Sequence, residues 1–129
     1  MSETVYTPIV ACSSLSDLDA APYHRRWLVV DEHGNLLGRT QHARLADVQV
    51  GIRFGFLVIR APGMLRMDLP LDVIEDDDSV RRQALIGGHA IDVVDEGDLA
   101  AAWMSRFLGA PCRLVKVHPD APAIKWPQD

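Results

Sequence analysis

The chain has 129 residues, 48% of them apolar and 24% charged, with a formal net charge of −5. That length supports one domain whose core needs no staples, and the composition excludes disordered, collagen-like and low-complexity classes. The acidic balance argues against nucleic acid or an anionic membrane as partner, and no apolar run reaches the ~18 residues of a membrane helix.

The start, Met1-Ser2-Glu3-Thr4, is acidic and carries no apolar stretch, so no secretory signal is expected. The two cysteines, Cys12 and Cys112, stand far apart. A reduced, cytoplasmic protein is the expectation.

In chain order, residues 4–12 read as a first strand carrying Val5, Tyr6, Ile9 and Val10. Residues 13–22 form a polar turn region. Residues 26–31 (RWLVVD) are a strong strand, rich in aromatic and β-branched side chains. His33-Gly34-Asn35 supplies turn chemistry, and residues 35–38 are the predicted return strand. Short strands follow at 48–52 and 56–60, on either side of Gly55, and Ala61-Pro62-Gly63 breaks the chain. Residues 66–71 alternate with a period of two. Residues 83–86 and 89–94 flank Gly87-Gly88, a two-residue hairpin signal.

One segment has helical spacing. Over 98–108 the apolar set Leu99, Trp103, Met104, Phe107 and Leu108 traces one face. Gly109 is the expected stop, and Pro111 prevents continuation. Asp95, Glu96 and Asp98 place negative charge where the helix dipole favours it. A last strand, 112–117, precedes a Pro-rich tail predicted to be loose. The expected fold is mainly β: a small barrel of short strands with one late α-helix at about 98–108, because closure hides the strand edges.

Chemistry-bearing patterns are sparse. His24, His33, His42, His89, His118 and the cysteines form no compact ligand spacing, so no metal site is expected. There is no GxSxG, and Ser105 reads as a helix-surface serine or one bonded back to a carbonyl. Glu75-Asp76-Asp77-Asp78 lacks calcium-loop spacing and reads as a solvated loop beside Arg81 and Arg82. Gly87-Gly88 precedes a strand rather than a helix, so it is not a phosphate loop. Residues 52–59 (IRFGFLVI) share the F-G-F core of an RNA-binding strand but lack its basic first residue, second glycine and last aromatic. His24-Arg25-Arg26 opens a strand, where successive side chains alternate, so one arginine can face an anion site. No catalytic constellation emerges.

The ordered stretches Arg25-Arg26-Trp27-Leu28-Val29-Val30-Asp31, Gln41-His42-Ala43-Arg44-Leu45 and 57–64 (LVIRAPGM) carry a family resemblance. With them go Asp95-Glu96-Gly97-Asp98, Ala101-Ala102-Trp103, Ser105, Phe107-Leu108-Gly109 and Arg113-Leu114-Val115. From about Thr7 to Val117 the chain resembles the N-terminal β-barrel domain of MOSC (molybdenum cofactor sulfurase C-terminal) proteins. The resemblance implies a barrel that sits before a MOSC domain, the two together holding a molybdenum cofactor. The family's molybdenum-binding cysteine belongs to that second domain, so neither Cys12 nor Cys112 inherits the role.

The resemblance also implies losses. Family Lys and Ser residues that help hold the pterin phosphate align with Val10 and Ala11, which cannot donate such bonds. Arg25 is the one retained phosphate contact, and so the expected cofactor-binding residue. The family's Asp before it is His24, the stretch between Cys12 and His24 is shortened, and a family Arg aligns with Thr40, beside Arg39. The expectation is a domain over residues 3–118 with a flexible tail at 119–129, acting as a stand-alone, non-catalytic binding module. It binds no cofactor alone and associates indirectly with molybdenum cofactor by docking in trans on a MOSC-domain protein, without nucleic acid or membrane. Two alternatives are part of a cofactor-dependent reductase or sulfur-transfer enzyme, and a degenerate domain with no ligand.

Overall fold

The computed structural model describes residues 4–71 and 81–118, with Arg81 described by its main chain. The acidic run 75–78 and the tail 119–129 lie outside the described residues.

The fold is mainly β. Among the described residues there are seven strands, β1 (Trp27–Asp31), β2 (Gln49–Arg53), β3 (Phe56–Arg60), β4 (Met67–Pro70), β5 (Arg81–Ile86), β6 (His89–Asp95) and β7 (Cys112–Val117). One α-helix, α1 (Asp98–Leu108), stands between β6 and β7, and two 3-10 helices cover Leu18–Tyr23 and Ala43–Asp47. The strands form two antiparallel sheets, ordered β1-β7-β6-β5 and β2-β3-β4.

The four-stranded sheet does not leave its two outer strands open to each other's absence. After β1 the chain turns at residues 31–35, organised by one carboxylate. Asp31 Oδ1 accepts the amides of His33 (2.8 Å) and Asn35 (2.9 Å). Partial burial disfavours the ionised Asp31, but the bonds from Asn35 and His33 outweigh it and hold its carboxyl below the usual range. The turn delivers Leu36 against Val30 of β1 and Asn35 against Leu85 of β5. Leu36 N donates to Leu85 O (3.0 Å), and Leu85 N to Gly34 O (2.7 Å). A short arm thus joins β1 to β5 and bridges the gap between the two outer strands, covering part of each edge.

This closure corrects one expectation. Residues 35–38 form no return strand, because Asn35 and Leu36 divide their hydrogen bonds between two neighbours and neither ladder runs on. Residues 4–12 are not a strand either. Only Tyr6 and Ile9 make isolated bridges, to Leu15 and Trp27. Pro8 has no amide to donate, and its carbonyl instead takes the amides of Arg26 and Trp27. The segment works as a seam: Val10 N bonds Trp27 O, and Ser13 N bonds Val48 O (3.0 Å), tying the first sheet to the chain entering the second.

Both sheets feed one core. Trp27, Leu28 and Val29 of β1 meet Leu57 and Ile59 of β3, Val93 of β6 and Leu114 of β7, all fully buried. Lys116 is also buried, opposite Trp27 in the β1–β7 register. Its Nζ lies 5.2 Å from the indole centroid and donates to Leu71 O (2.6 Å), at the end of β4. That bond satisfies a charged head in an apolar setting and links the two sheets.

The helix matches its predicted bounds and ends at Gly109, whose φ of +74° suits the left-handed stop. Its buried face differs from the predicted one. Ala100, Ala101, Met104, Phe107 and Leu108 point inward, whereas Leu99 is 88% exposed. Leu99 lies five residues before Met104, about 140° away around the helix, so it belongs to the opposite face. The Gly87-Gly88 hairpin formed as expected, with positive φ at both glycines and Ile86 paired to His89.

Gly34 holds the closure. Its φ is +85°, and an added Cβ would stand 3.1 Å from Gln83 O, a backbone atom with little room to move. Gly34→Ala should destabilise the fold by about 1–3 kcal/mol, from left-handed strain plus crowding. Thermal unfolding should then show a melting point lower by about 4–10 °C. An unchanged melting point would mean that the arm carries no closure.

Candidate functional site

The positions that the resemblance marks as phosphate ligands fall in the tight turn 9–12. Cys12 N bonds Ile9 O (3.1 Å), and Ala11 adopts a φ of +72°, unusual for a residue with a side chain. Val10, Ala11 and Cys12 are all buried and belong to the core. What fastens this turn is Arg39. Its Nε donates to Ala11 O (2.7 Å) and its Nη2 to Cys12 O (3.0 Å). The guanidinium adjacent to Thr40 is therefore committed to main-chain carbonyls, and Thr40 itself bonds Gln41 Oε1 (3.1 Å). Buried aliphatic side chains do not fit an anionic group.

Arg25 and Arg26 do not alternate along a strand as expected. Arg25 has a left-handed φ of +54° and sits in the turn before β1, which begins at Trp27. Its amide bonds Thr7 O (2.8 Å), and the residue is exposed. Arg26 points the other way, and its Nη2 donates to Val117 O (2.9 Å) on β7.

Around Arg25 the structure gathers polar groups that the sequence left scattered. His24 Nδ1 accepts the Thr7 amide (2.9 Å), and Thr7 Oγ1 shares a 2.6 Å hydrogen bond with Ser14 Oγ. Tyr6 meets the imidazole edge-on, with centroids 6.3 Å apart. Partial burial, and then the nearby positive charge of Arg25, push the His24 pKa below its ordinary value of 6.5. The result is a neutral imidazole beside an exposed guanidinium, bordered by two hydroxyls. Such a group can bind an anion, but it offers no activated nucleophile. The signal missed in the sequence was the grouping of Thr7, Ser14 and His24, which the bridge Tyr6↔Leu15 and the Arg25 N to Thr7 O hydrogen bond create together.

The remaining motif residues are structural. Arg113 forks onto Asp95 through Nε and Nη2, and Nη2 also reaches Asp98 Oδ1 (2.8 Å). The bonds from Asp95 and then Asp98 raise the Arg113 pKa further above its already high value. Asp95 Oδ1 also accepts the Gly97 amide (2.9 Å), so one carboxylate fixes both the β6 end and the α1 start. Ser105 is not on the open surface. It accepts the Cys112 amide (3.1 Å) and donates to Cys112 O (3.0 Å), fastening the helix to β7.

Cys12 and Cys112 are both buried free thiols. Burial raises the Cys112 pKa, and the hydrogen bond from Ser105 only partly offsets it. Among the described residues no three His, Cys, Asp or Glu side chains are grouped to hold a metal, and no helix is long and apolar enough to cross a membrane.

Because His24 is neutral in the fold and protonates more readily when the chain unfolds, its contribution is full above pH 6.5 and is lost as pH falls through its lowered folded value. Urea unfolding should therefore show stability dropping between about pH 7 and about pH 5 more steeply for the native chain than for His24→Asn. Parallel acid limbs for the two proteins would remove His24 from the explanation.

Comparison with known proteins bears on these motifs. The family model described as the MOSC N-terminal beta barrel domain matches residues 5–111. Molybdenum cofactor sulfurase of Danio rerio is 31% identical over 122 residues, which cover 88% of this chain and 15% of that protein. Mitochondrial amidoxime-reducing component 1 of Danio rerio is 33% identical over 98 residues, covering 74% of this chain and 29% of its own. A solution structure from Bordetella bronchiseptica is 56% identical, with a TM-score of 0.85 and 98% of each chain covered. The chain thus spans only a minor part of the curated relatives it matches. With this match over most of its length and a mainly β fold with a late helix, the chain belongs to the MOSC N-terminal β-barrel family.

Proposed function

We propose that this chain is a non-catalytic β-barrel binding module that docks in trans on a molybdenum-cofactor protein of the MOSC type. The carrying observation is a contrast within the chain. The structural motif residues are interlocked, as in the Asp95–Arg113–Asp98 fork, while the turn at Val10 and Ala11 is buried, aliphatic and fastened by Arg39. A barrel that keeps its frame but not this polar turn fits recognition better than independent cofactor chemistry. The matched Bordetella chain, covered over 98% of its length, supports a barrel of this extent as a folding unit.

In this reading the cofactor is associated indirectly, through the partner, and the contact face includes His24 and Arg25. Arg25 supplies a charged fork suited to an anionic group at the rim of the partner. Neither nucleic acid nor membrane takes part. A second reading, part of a cofactor-dependent reductase or sulfur-transfer enzyme, rests on that same Arg25 and on the similarity to molybdenum cofactor sulfurase and amidoxime-reducing component.

Calorimetric titration of the chain with a MOSC-domain protein should give binding at micromolar concentration. Arg25→Ala should weaken it about tenfold while shifting folding stability by no more than about 1 kcal/mol, as for an exposed charge. Absence of binding to any MOSC-domain protein would sink docking in trans. Reduction of an N-hydroxylated substrate by the pure chain would replace the module with the enzyme reading.

A further inference from the structure

The face of α1 turned away from the core carries an arrangement that the docking reading does not use. Asp98, Leu99, Ala102 and Arg106 recur at three- and four-residue intervals, opposite the buried Ala101, Met104 and Leu108. Leu99 is 88% exposed, and Leu65, on the loop after β3, is 86% exposed. The loop is pinned beside the helix, because Trp103 Nε1 donates to Leu65 O (2.7 Å). Together Met64, Leu65, Trp103 and the stem of Arg106 wall an open groove of about 350 Å3, with Leu99 at its rim. Two leucines this exposed, side by side on a small domain, are an apolar surface that water does not favour.

The charges on this face have an internal symmetry. Asp98 lies four residues before Ala102, and Arg106 four residues after it. Each is about 6 Å from Ala102 along the axis. Asp98 uses one oxygen on Arg113 while its side chain remains 98% exposed. Arg106 makes no ion pair among the described residues, and Ala102 is exposed and small enough to let a second helix approach closely.

We propose that this face pairs with a second copy of the same chain, through antiparallel α1 helices related by a two-fold axis beside Ala102. A two-fold interface must be its own complement, and this surface meets that condition twice. Reversing the helix direction brings Asp98 of each copy toward Arg106 of the other. The same operation carries Leu99 of each copy into the other's groove, between Trp103 and the Arg106 stem. An unrelated partner would need to reproduce both the charge order and the knob, whereas a second copy supplies them without further assumption. The helix has 11 residues and is about 16 Å long. Such a contact falls below the ~800 Å2 per partner of a standard interface, so the pairing is weak and concentration-dependent.

Sedimentation velocity over a concentration series up to about 1 mM should show a monomer–dimer equilibrium, since a contact this small associates only at high concentration. Leu99→Lys should abolish the dimer, and Arg106→Glu should weaken it at least about tenfold. Both sites are exposed, so circular dichroism should match that of the native chain. Ala102→Cys should form a disulfide-linked dimer on mild oxidation, because both native thiols are buried. Arg53→Cys, on the β2–β3 hairpin, should remain monomeric under the same oxidation. A native chain that stays monomeric throughout, or a dimer that survives Leu99→Lys, would overturn the proposal. So would binding of a different protein at this groove by a chain that does not self-associate.

Discussion

The fold depends on closing a sheet that is too short to protect its own edges. β1 and β5 stand at the two ends of the four-stranded order, and each would offer unpaired backbone groups to any passing strand. The answer is the arm at residues 34–36, which bonds β1 on one side and β5 on the other. Asp31 makes that arm possible by holding two amides of the turn with one carboxylate oxygen. Gly34 makes it fit, because its left-handed backbone passes close under Gln83 O. A turn that looked in the sequence like an ordinary hairpin is therefore the clasp of the barrel.

Four further fasteners distribute the load. Lys116 crosses from β7 to the end of β4, with its charge satisfied by a carbonyl and its stem against Trp27. Trp27 in turn uses its indole N–H on Glu96 (3.1 Å), just before the helix. The Arg113 fork and the Ser105–Cys112 pair then set the helix against β7. Lys116, Trp27, Arg113 and Ser105 thus each reach a main-chain or carboxylate partner, as burial demands. It follows that much of the family motif records architecture. Asp95, Asp98, Ser105 and Arg113 hold elements together and do not converge on a cleft.

Legibility from the sequence followed how local the determining physics was. The helix bounds were readable because Gly109 and Pro111 stop it within two residues. β7 was readable as the strand that follows the stop at Gly109 and Pro111, and the β5–β6 hairpin from Gly87-Gly88. The segment 4–12 misled because its apolar residues are buried by the seam rather than by a ladder, and because Pro8 breaks the donor pattern. Leu99 misled for a different reason. Apolar spacing cannot say which of two overlapping helical faces is inside, and the small Ala100 and Ala101 define the packed side better than Leu99 does. The grouping of Thr7, Ser14 and His24 had no sequence signal, since it depends on two distant backbone crossings.

The N-terminal turn is satisfied from within the chain itself. A lysine and a hydroxyl in a tight turn need an anion or water to satisfy them, and Val10 and Ala11 need neither. Placed here, the aliphatic pair adds to the core, and the carbonyls of Ala11 and Cys12 that close the turn fall to Arg39. One guanidinium thereby neutralises two backbone acceptors that a bound anion could not have served, because both are electron-rich. The positive charge is spent inward, on the turn's own main chain. At the surface stands Arg25, on a left-handed turn whose amide is anchored to Thr7; burial, and then the Arg25 charge, lower the pKa of the neighbouring His24. The geometry therefore separates a closed, self-satisfied turn from a residue that stands exposed at the surface.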